Sequence, residues 1–138
     1  MTQIKDLGST AHRWTFLDCA HRAGGDRALG ACNPMTSPAG WLPATVPGLV
    51  AQDLLAAGRI TDPFYGDNVM DARWIENRDW VYRTSFHITE EEAAKPVRLV
   101  CESLDTFATV FLNGELVARH ENQFRRLLVD VTDALQYE

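Results

Sequence analysis

Beyond Asp79 the apolar residues of this chain recur at every second position, a period that few folds can use. Trp80, Tyr82, Thr84, Phe86 and Ile88 share one face of an extended segment, with Val81, Arg83, Ser85 and His87 on the other. That is the pattern of a half-buried strand, ended by the acidic stretch Thr89-Glu90-Glu91-Glu92. Val97, Leu99 and Cys101 alternate in the next strand, and residues 106–112 are apolar on both faces, as in a strand covered on both sides. Asn113-Gly114 follows directly, the strongest short hairpin signal because both residues of the tight turn need positive φ. A last strand is expected over Arg126 to Val131. Antiparallel strands joined by short turns predict an all-β sandwich or jelly roll.

The first half is less regular. Residues 12–17 read as a short strand. The stretch 18–47 carries Gly24-Gly25, Gly30, Asn33-Pro34, Ser37-Pro38, Gly40, Pro43 and Pro47, a density of breakers that predicts loop. Gly48 to Ala57 is the helix candidate, with Val50, Leu54 and Ala57 on one face and Gly58 as its stop. Residues 61–68 read as a turn-rich loop. Asn68 is positioned to cap a helical turn over 69–76, with Asp71 in its first turn.

A length of 138 residues suits a single domain, 1–138, and 46% hydrophobic residues can build an ordinary core. The formal charge of −6 lowers the expectation of nucleic-acid binding, which needs clustered Lys and Arg. Arg125-Arg126 is the densest basic spot and reads as a solvated edge. No apolar run suits a signal-peptide core or a membrane span, so a cytoplasmic location is expected. Cys19, Cys32 and Cys101 fit neither a zinc pattern nor a disulfide framework. His12, His21, His87 and His120 show no ligand spacing, and Gly24-Gly25 has no helix behind it to form a phosphate loop. No metal or cofactor is therefore expected.

Several segments in order carry a family resemblance. They are Trp41-Leu42-Pro43-Ala44-Thr45-Val46-Pro47-Gly48, Asp62-Pro63-Phe64-Tyr65-Gly66-Asp67-Asn68, and Arg78-Asp79-Trp80-Val81-Tyr82-Arg83. Leu104-Asp105-Thr106, Leu112-Asn113-Gly114, Asn122, Phe124-Arg125-Arg126 and Asp130-Val131-Thr132-Asp133 continue the series. Together, from about Trp14 to the last residue, they resemble the N-terminal domain of glycoside hydrolase family 2, in its β-mannosidase branch. The resemblance implies a galactose-binding-like jelly roll with one short helix, long N-terminal loops and further strands beyond Glu138. It implies a following immunoglobulin-like domain and a (β/α)₈ barrel holding both catalytic glutamates of a retaining glycosidase.

None of the glutamates here matches those two. Glu115 sits at a hairpin tip, and Glu90, Glu91 and Glu92 form a solvated run. Retaining chemistry needs two carboxyl groups about 5 Å apart, and no pair in this chain has a reason to be held so. The expected role is a non-catalytic domain that packs on the barrel and lines part of a sugar pocket in an enzyme removing terminal β-mannosyl residues. Tyr65, Asp67, Asn68 and Trp41 are the candidates for the substrate rim, although Asn68 as a cap and Gly66-Asp67 as turn chemistry are the heavier readings. Trp80 is expected in the core, and Trp74 as the anchor of a helical turn. Two other roles stay open: an autonomous carbohydrate-binding module, and a protein-interaction domain that self-associates through an open sheet edge.

Overall fold

The computed structural model describes residues 2–20 and 40–136. The chain divides into two compact units, Met1–Phe86 and His87–Glu138. Each unit is antiparallel β with short helical turns, as the period of two requires.

In the first unit, β1 (Trp14–Ala20) is the centre of a three-stranded sheet, flanked by β2 (Leu42–Ala44) and β3 (Arg78–Arg83). Phe16 is fully buried and lies opposite Leu42 on one side and Tyr82 on the other. Its ring stands 5.6 Å from that of Tyr82 and 5.8 Å from that of Trp80. The alternation that puts Trp80 and Tyr82 on one face of β3 thus places both against this central ring, where aromatic contacts add to plain area burial.

β3 is shorter than the sequence pattern predicts. Its partner β1 begins at Trp14, and the ladder ends at the pair Thr15–Arg83. Beyond it the Thr84 hydroxyl donates to the carbonyl of Arg13 at 2.9 Å, so residues 84–88 continue without a ladder. The loop expected over 18–47 is likewise corrected at both ends. Residues 18–20 extend β1, and 42–44 form β2; the segment 21–39 lies outside the described residues. Pro43 is tolerated because β2 is an edge strand, where a missing N–H breaks no ladder on the open side. Cys19 is buried and disulfide-bonded, contrary to the reading of all three cysteines as outside any disulfide framework. Cys101 is a free thiol.

The helix expected between Gly48 and Ala57 is α1 (Val50–Ala56), with Asp53 and Leu54 as its buried residues. Gly58, at φ +67°, ends it. Its N–H reaches the Leu55 carbonyl and the Arg59 N–H that of Leu54, the paired bonds of a Schellman stop. A second short helix, α2 (Asn68–Asp71), runs into a 3₁₀ turn over Arg73–Asn77.

In the second unit, β4 (Arg98–Cys101) pairs with β7 (Leu127–Asp130), and β5 (Phe107–Leu112) pairs with β6 (Glu115–Glu121). Asn113 and Gly114 have φ of 51° and 85°, as the predicted tight hairpin demands. A register shift between Val110 and Phe111 leaves Val117 as an extra residue on β6. The Asn113 amide donates to the Ala134 carbonyl at 2.8 Å, tying the hairpin tip to a 3₁₀ turn over Thr132–Ala134. The expectation that 106–112 is covered on both faces fails, since Phe107 is 83% exposed.

The acidic run is also more than a strand terminator. Glu90–Ala93 form a helical turn, α3, closed by a full capping box. The Glu92 N–H donates to the Thr89 hydroxyl, and the Thr89 N–H to the Glu92 carboxylate. The chain therefore has three short α-helices and two 3₁₀ turns among its described residues, where one helix and a helical turn over 69–76 were expected.

Candidate functional site

The segment between α1 and β3 reverses direction twice within a few residues. Asp62 accepts from the Phe64 N–H through its side chain and from the Tyr65 N–H through its carbonyl, and Pro63 presets the first central dihedral of that turn. Gly66, at φ +58°, then turns the chain into α2. These reversals leave Phe64 97% and Tyr65 78% exposed. Two large aromatic side chains thus stand at a loop tip that polar turn chemistry holds in place.

Asn68 is the first residue of α2, not its cap. Asp67 occupies the cap position and its side chain makes no capping bond. The Asn68 amide instead donates to the Asp62 carbonyl at 2.9 Å, which bolts the start of α2 to the turn and leaves its side-chain oxygen free to accept. Asn68 and Asp71 are three residues apart and so share one face of the helix. That face borders an open cleft of about 250 Å³, lined by Arg59, Thr61, Asn68, Asp71 and Trp74, with Ala72 and Ile60 completing it.

Trp74 is held in place by its neighbours. Its ring lies 6.0 Å from that of Trp80, whose indole N–H donates to the Ile75 carbonyl. The Arg78 guanidinium sits 5.9 Å from the Trp74 ring centre. Trp74 keeps 37% of its surface exposed. Among the described residues, none hydrogen-bonds or ion-pairs with the side chains of Arg59, Thr61 or Asp71. The cleft therefore combines a fixed aromatic wall with one cation, one anion, a hydroxyl and an amide oxygen that are free to bind.

The sequence candidates do not form one cluster. Asn68 lines the cleft, whereas Tyr65 and Asp67 are exposed on the preceding turn. Trp41 is half-buried, with the Arg83 guanidinium 3.8 Å from its ring centre. That stacking accounts for Trp41 structurally. Sequence reasoning does not bring Arg59, Thr61 and Trp74 together at this cleft, and reads Trp74 as the anchor of a helical turn; the i, i+3 spacing of Asn68 and Asp71 is the available signal.

The one buried carboxylate among the described residues is Asp53, 4% exposed. It accepts from the Thr45 N–H at 2.9 Å and from the Tyr82 hydroxyl at 3.5 Å. Burial, reinforced by the Asp53 charge and hydrogen bond, pushes the Tyr82 phenol well above its ordinary range. The pair binds strand to helix, and no second carboxyl group accompanies it among the described residues. No cluster of three or more His, Cys, Asp or Glu among the described residues could hold a metal ion, and no helix there is long and apolar enough to cross a membrane.

Residues 14–138 match the glycosyl hydrolase 2 galactose-binding domain-like family. A protein called β-mannosidase B from Emericella nidulans is 43% identical over 103 residues, covering 74% of this chain and 12% of that protein. The β-mannosidase B of Aspergillus flavus is 41% identical over the same shares. The crystal structure of a β-D-mannosidase from Dictyoglomus thermophilum superposes with a TM-score of 0.74 at 30% identity, over 91% of this chain and 13% of that one. The chain thus spans about an eighth of the length of the relatives it matches.

Proposed function

From the premise that this chain belongs to the glycosyl hydrolase 2 galactose-binding domain-like family, we propose that it serves as the non-catalytic N-terminal domain of a β-mannosidase-type retaining hydrolase. The observation that carries the proposal is the pairing of extent and position. The family match runs from residue 14 to residue 138, yet the 103 residues aligned with the Emericella nidulans β-mannosidase B cover 12% of that protein. Most of such an enzyme lies outside the region compared.

In this reading the parent enzyme removes terminal β-mannosyl residues with two carboxyl groups about 5 Å apart, one nucleophile and one acid/base. This domain supplies neither. Its buried carboxylate is committed to Thr45 and Tyr82, and a structural carboxylate with satisfied partners is a poor nucleophile. Its role is to pack on the catalytic barrel and wall off part of the sugar pocket, which excludes water from the reacting centre. Tyr65, Asp67 and Asn68 are the proposed rim residues, because the turn from Asp62 to Gly66 presents them on a fixed frame. Trp41 is a weaker rim candidate, since Arg83 already covers its ring.

The experiment is an assay with p-nitrophenyl β-D-mannopyranoside on two proteins, this chain alone and the longer polypeptide containing it. No turnover by the chain and turnover by the longer polypeptide are expected. Turnover by the 138-residue chain itself would overturn the non-catalytic role, and an inactive longer polypeptide would overturn the β-mannosidase assignment.

A further inference from the structure

We propose that Asn113 is a site of spontaneous deamidation, and that its conversion to aspartate or isoaspartate releases the β5–β6 hairpin from the 3₁₀ turn over Thr132–Ala134. Every group involved lies within the unit His87–Glu138, and the inference does not rest on the β-mannosidase reading.

The sequence singles this residue out. Asn33, Asn68, Asn77 and Asn122 precede Pro, Val, Arg and Gln, whereas Asn113 precedes Gly114. Deamidation begins when the backbone nitrogen of the following residue attacks the side-chain amide carbon. A proline at that position has no N–H to lose, and any other side chain crowds the attack. Glycine brings none. The fold also leaves this nucleophile accessible. The ladder between β5 and β6 closes at the pair Leu112–Glu115, so the Gly114 N–H stands outside it. Both residues of the turn are exposed, and a Cβ built on Gly114 would meet nothing within 4 Å.

Water is the one co-reactant the chemistry needs. As base, water or hydroxide takes the Gly114 amide proton, and the nitrogen forms a bond to Cγ of Asn113. The Cγ–Nδ2 bond breaks and ammonia leaves, which joins the two residues in a cyclic imide. Water then opens the ring without any change of oxidation state. Attack at Cγ breaks its bond to the ring nitrogen and gives aspartate. Attack at the main-chain carbonyl carbon leaves the chain running through Cγ, as isoaspartate.

The expelled atom gives the reaction its consequence. Nδ2 of Asn113 is the donor to the Ala134 carbonyl at 2.8 Å, the bond that ties the hairpin tip to the 3₁₀ turn. An ionised aspartate in its place only accepts, and a carboxylate facing a carbonyl is repelled. Asp-Gly suits the tight turn as Asn-Gly does, so the hairpin survives this product and loses the latch. Isoaspartate adds a methylene to the backbone and disturbs the spacing of the turn as well. The start of the 3₁₀ turn stays anchored in either case. The Val131 N–H donates to the Val97 carbonyl, and the Val97 N–H to the Thr132 hydroxyl. Release is therefore confined to the hairpin tip and Ala134.

The test keeps this chain folded in mildly alkaline buffer and follows each asparagine by peptide mass spectrometry, with isoaspartyl methyltransferase as the probe for isoaspartate. Asn113 should be converted before any other asparagine. Asn113→Asp supplies one product directly. It should speed exchange of the Ala134 amide, which donates to the Val131 carbonyl, about fivefold, as the loss of one hydrogen bond implies. Exchange of the Val131 amide should not change. Another asparagine reacting first, or conversion of Asn113 only after urea unfolds the chain, would overturn the site. Unchanged exchange at Ala134 in Asn113→Asp would overturn the release. The conversion is read on the unsubstituted chain, so it stands whether or not the variant folds.

Discussion

The hydroxyl of Tyr82 donates to one oxygen of Asp53 at 3.5 Å while the other oxygen accepts from the Thr45 N–H at 2.9 Å. Three elements meet at this carboxylate: α1 through Asp53 itself, the end of β2 through Thr45, and β3 through Tyr82. The short bond to Thr45 is the stronger of the two, and the contact to Tyr82 is long for an O–H donor. Asp53→Ala should leave a part-buried amide N–H without a partner, at a cost of about 2 kcal/mol. Urea unfolding of the two proteins measures it. A loss below about 0.5 kcal/mol would show that the loop after β2 finds another acceptor.

The same pair predicts an alkaline limit. The Tyr82 phenol is raised above its ordinary value, first by burial and then by the Asp53 charge and hydrogen bond. In the unfolded chain it ionises near pH 10. Above that pH the unfolded state loses a proton that the folded state keeps, so stability falls as pH rises. Below pH 10 the full contribution is present. Thermal unfolding followed between pH 8 and about pH 11 should therefore show a decline that Tyr82→Phe flattens. An equal decline in both proteins would assign it to other groups.

Two glycines separate close approach from backbone strain. A Cβ at Gly48 would run into the Thr45 carbonyl oxygen, inside any tolerable contact, and the obstacle is backbone. Gly58 has open space around it but a φ of +67°. Gly48→Ala should cost roughly 1–3 kcal/mol as an overpacking lesion, and it should displace the loop that Asp53 holds. Gly58→Ala should cost about 1 kcal/mol through left-handed strain alone, with contacts unchanged. Amide exchange distinguishes the two. Protection near Thr45 should fall in the first variant and persist in the second.

Much of this fold was legible because its signals are local. Period-two alternation placed Trp80 and Tyr82 on one face, Asn113-Gly114 fixed a hairpin, and Gly58 stopped a helix. What misled were features set by partners distant in sequence. β3 ends at Arg83 because β1 begins at Trp14, a limit that no pattern within 84–88 reveals. Leu42–Ala44 becomes a strand because β1 offers an edge to it, despite Pro43. The capping box at Thr89 and Glu92 was visible as Thr-x-x-Glu and was obscured by reading three glutamates as mere charge. For the cleft, residue types pointed to Asn68, but its companions Arg59 and Trp74 come from two separate stretches of the chain. Sequence spacing brings Asn68 and Asp71 together; only the fold adds the other walls.

The exposed tip at Phe64 and Tyr65 offers a direct test of docking within a larger enzyme. At 97% and 78% exposure these side chains contribute little to the folding of this chain, so Phe64→Ser with Tyr65→Ser should change its unfolding free energy by no more than about 0.5 kcal/mol. If the loop packs on a catalytic barrel, the same pair of changes in the longer polypeptide removes buried aromatic area. Burying even one such ring contributes roughly 2 kcal/mol, so the longer protein should melt several degrees lower and lose affinity for the β-mannoside. A small effect in the short chain and a large one in the long chain would locate the loop at an interface. Equal, small effects in both would leave Phe64 and Tyr65 facing solvent in the enzyme and would move the docking surface elsewhere, with Phe107 and Phe124, 83% and 88% exposed, the next side chains to replace.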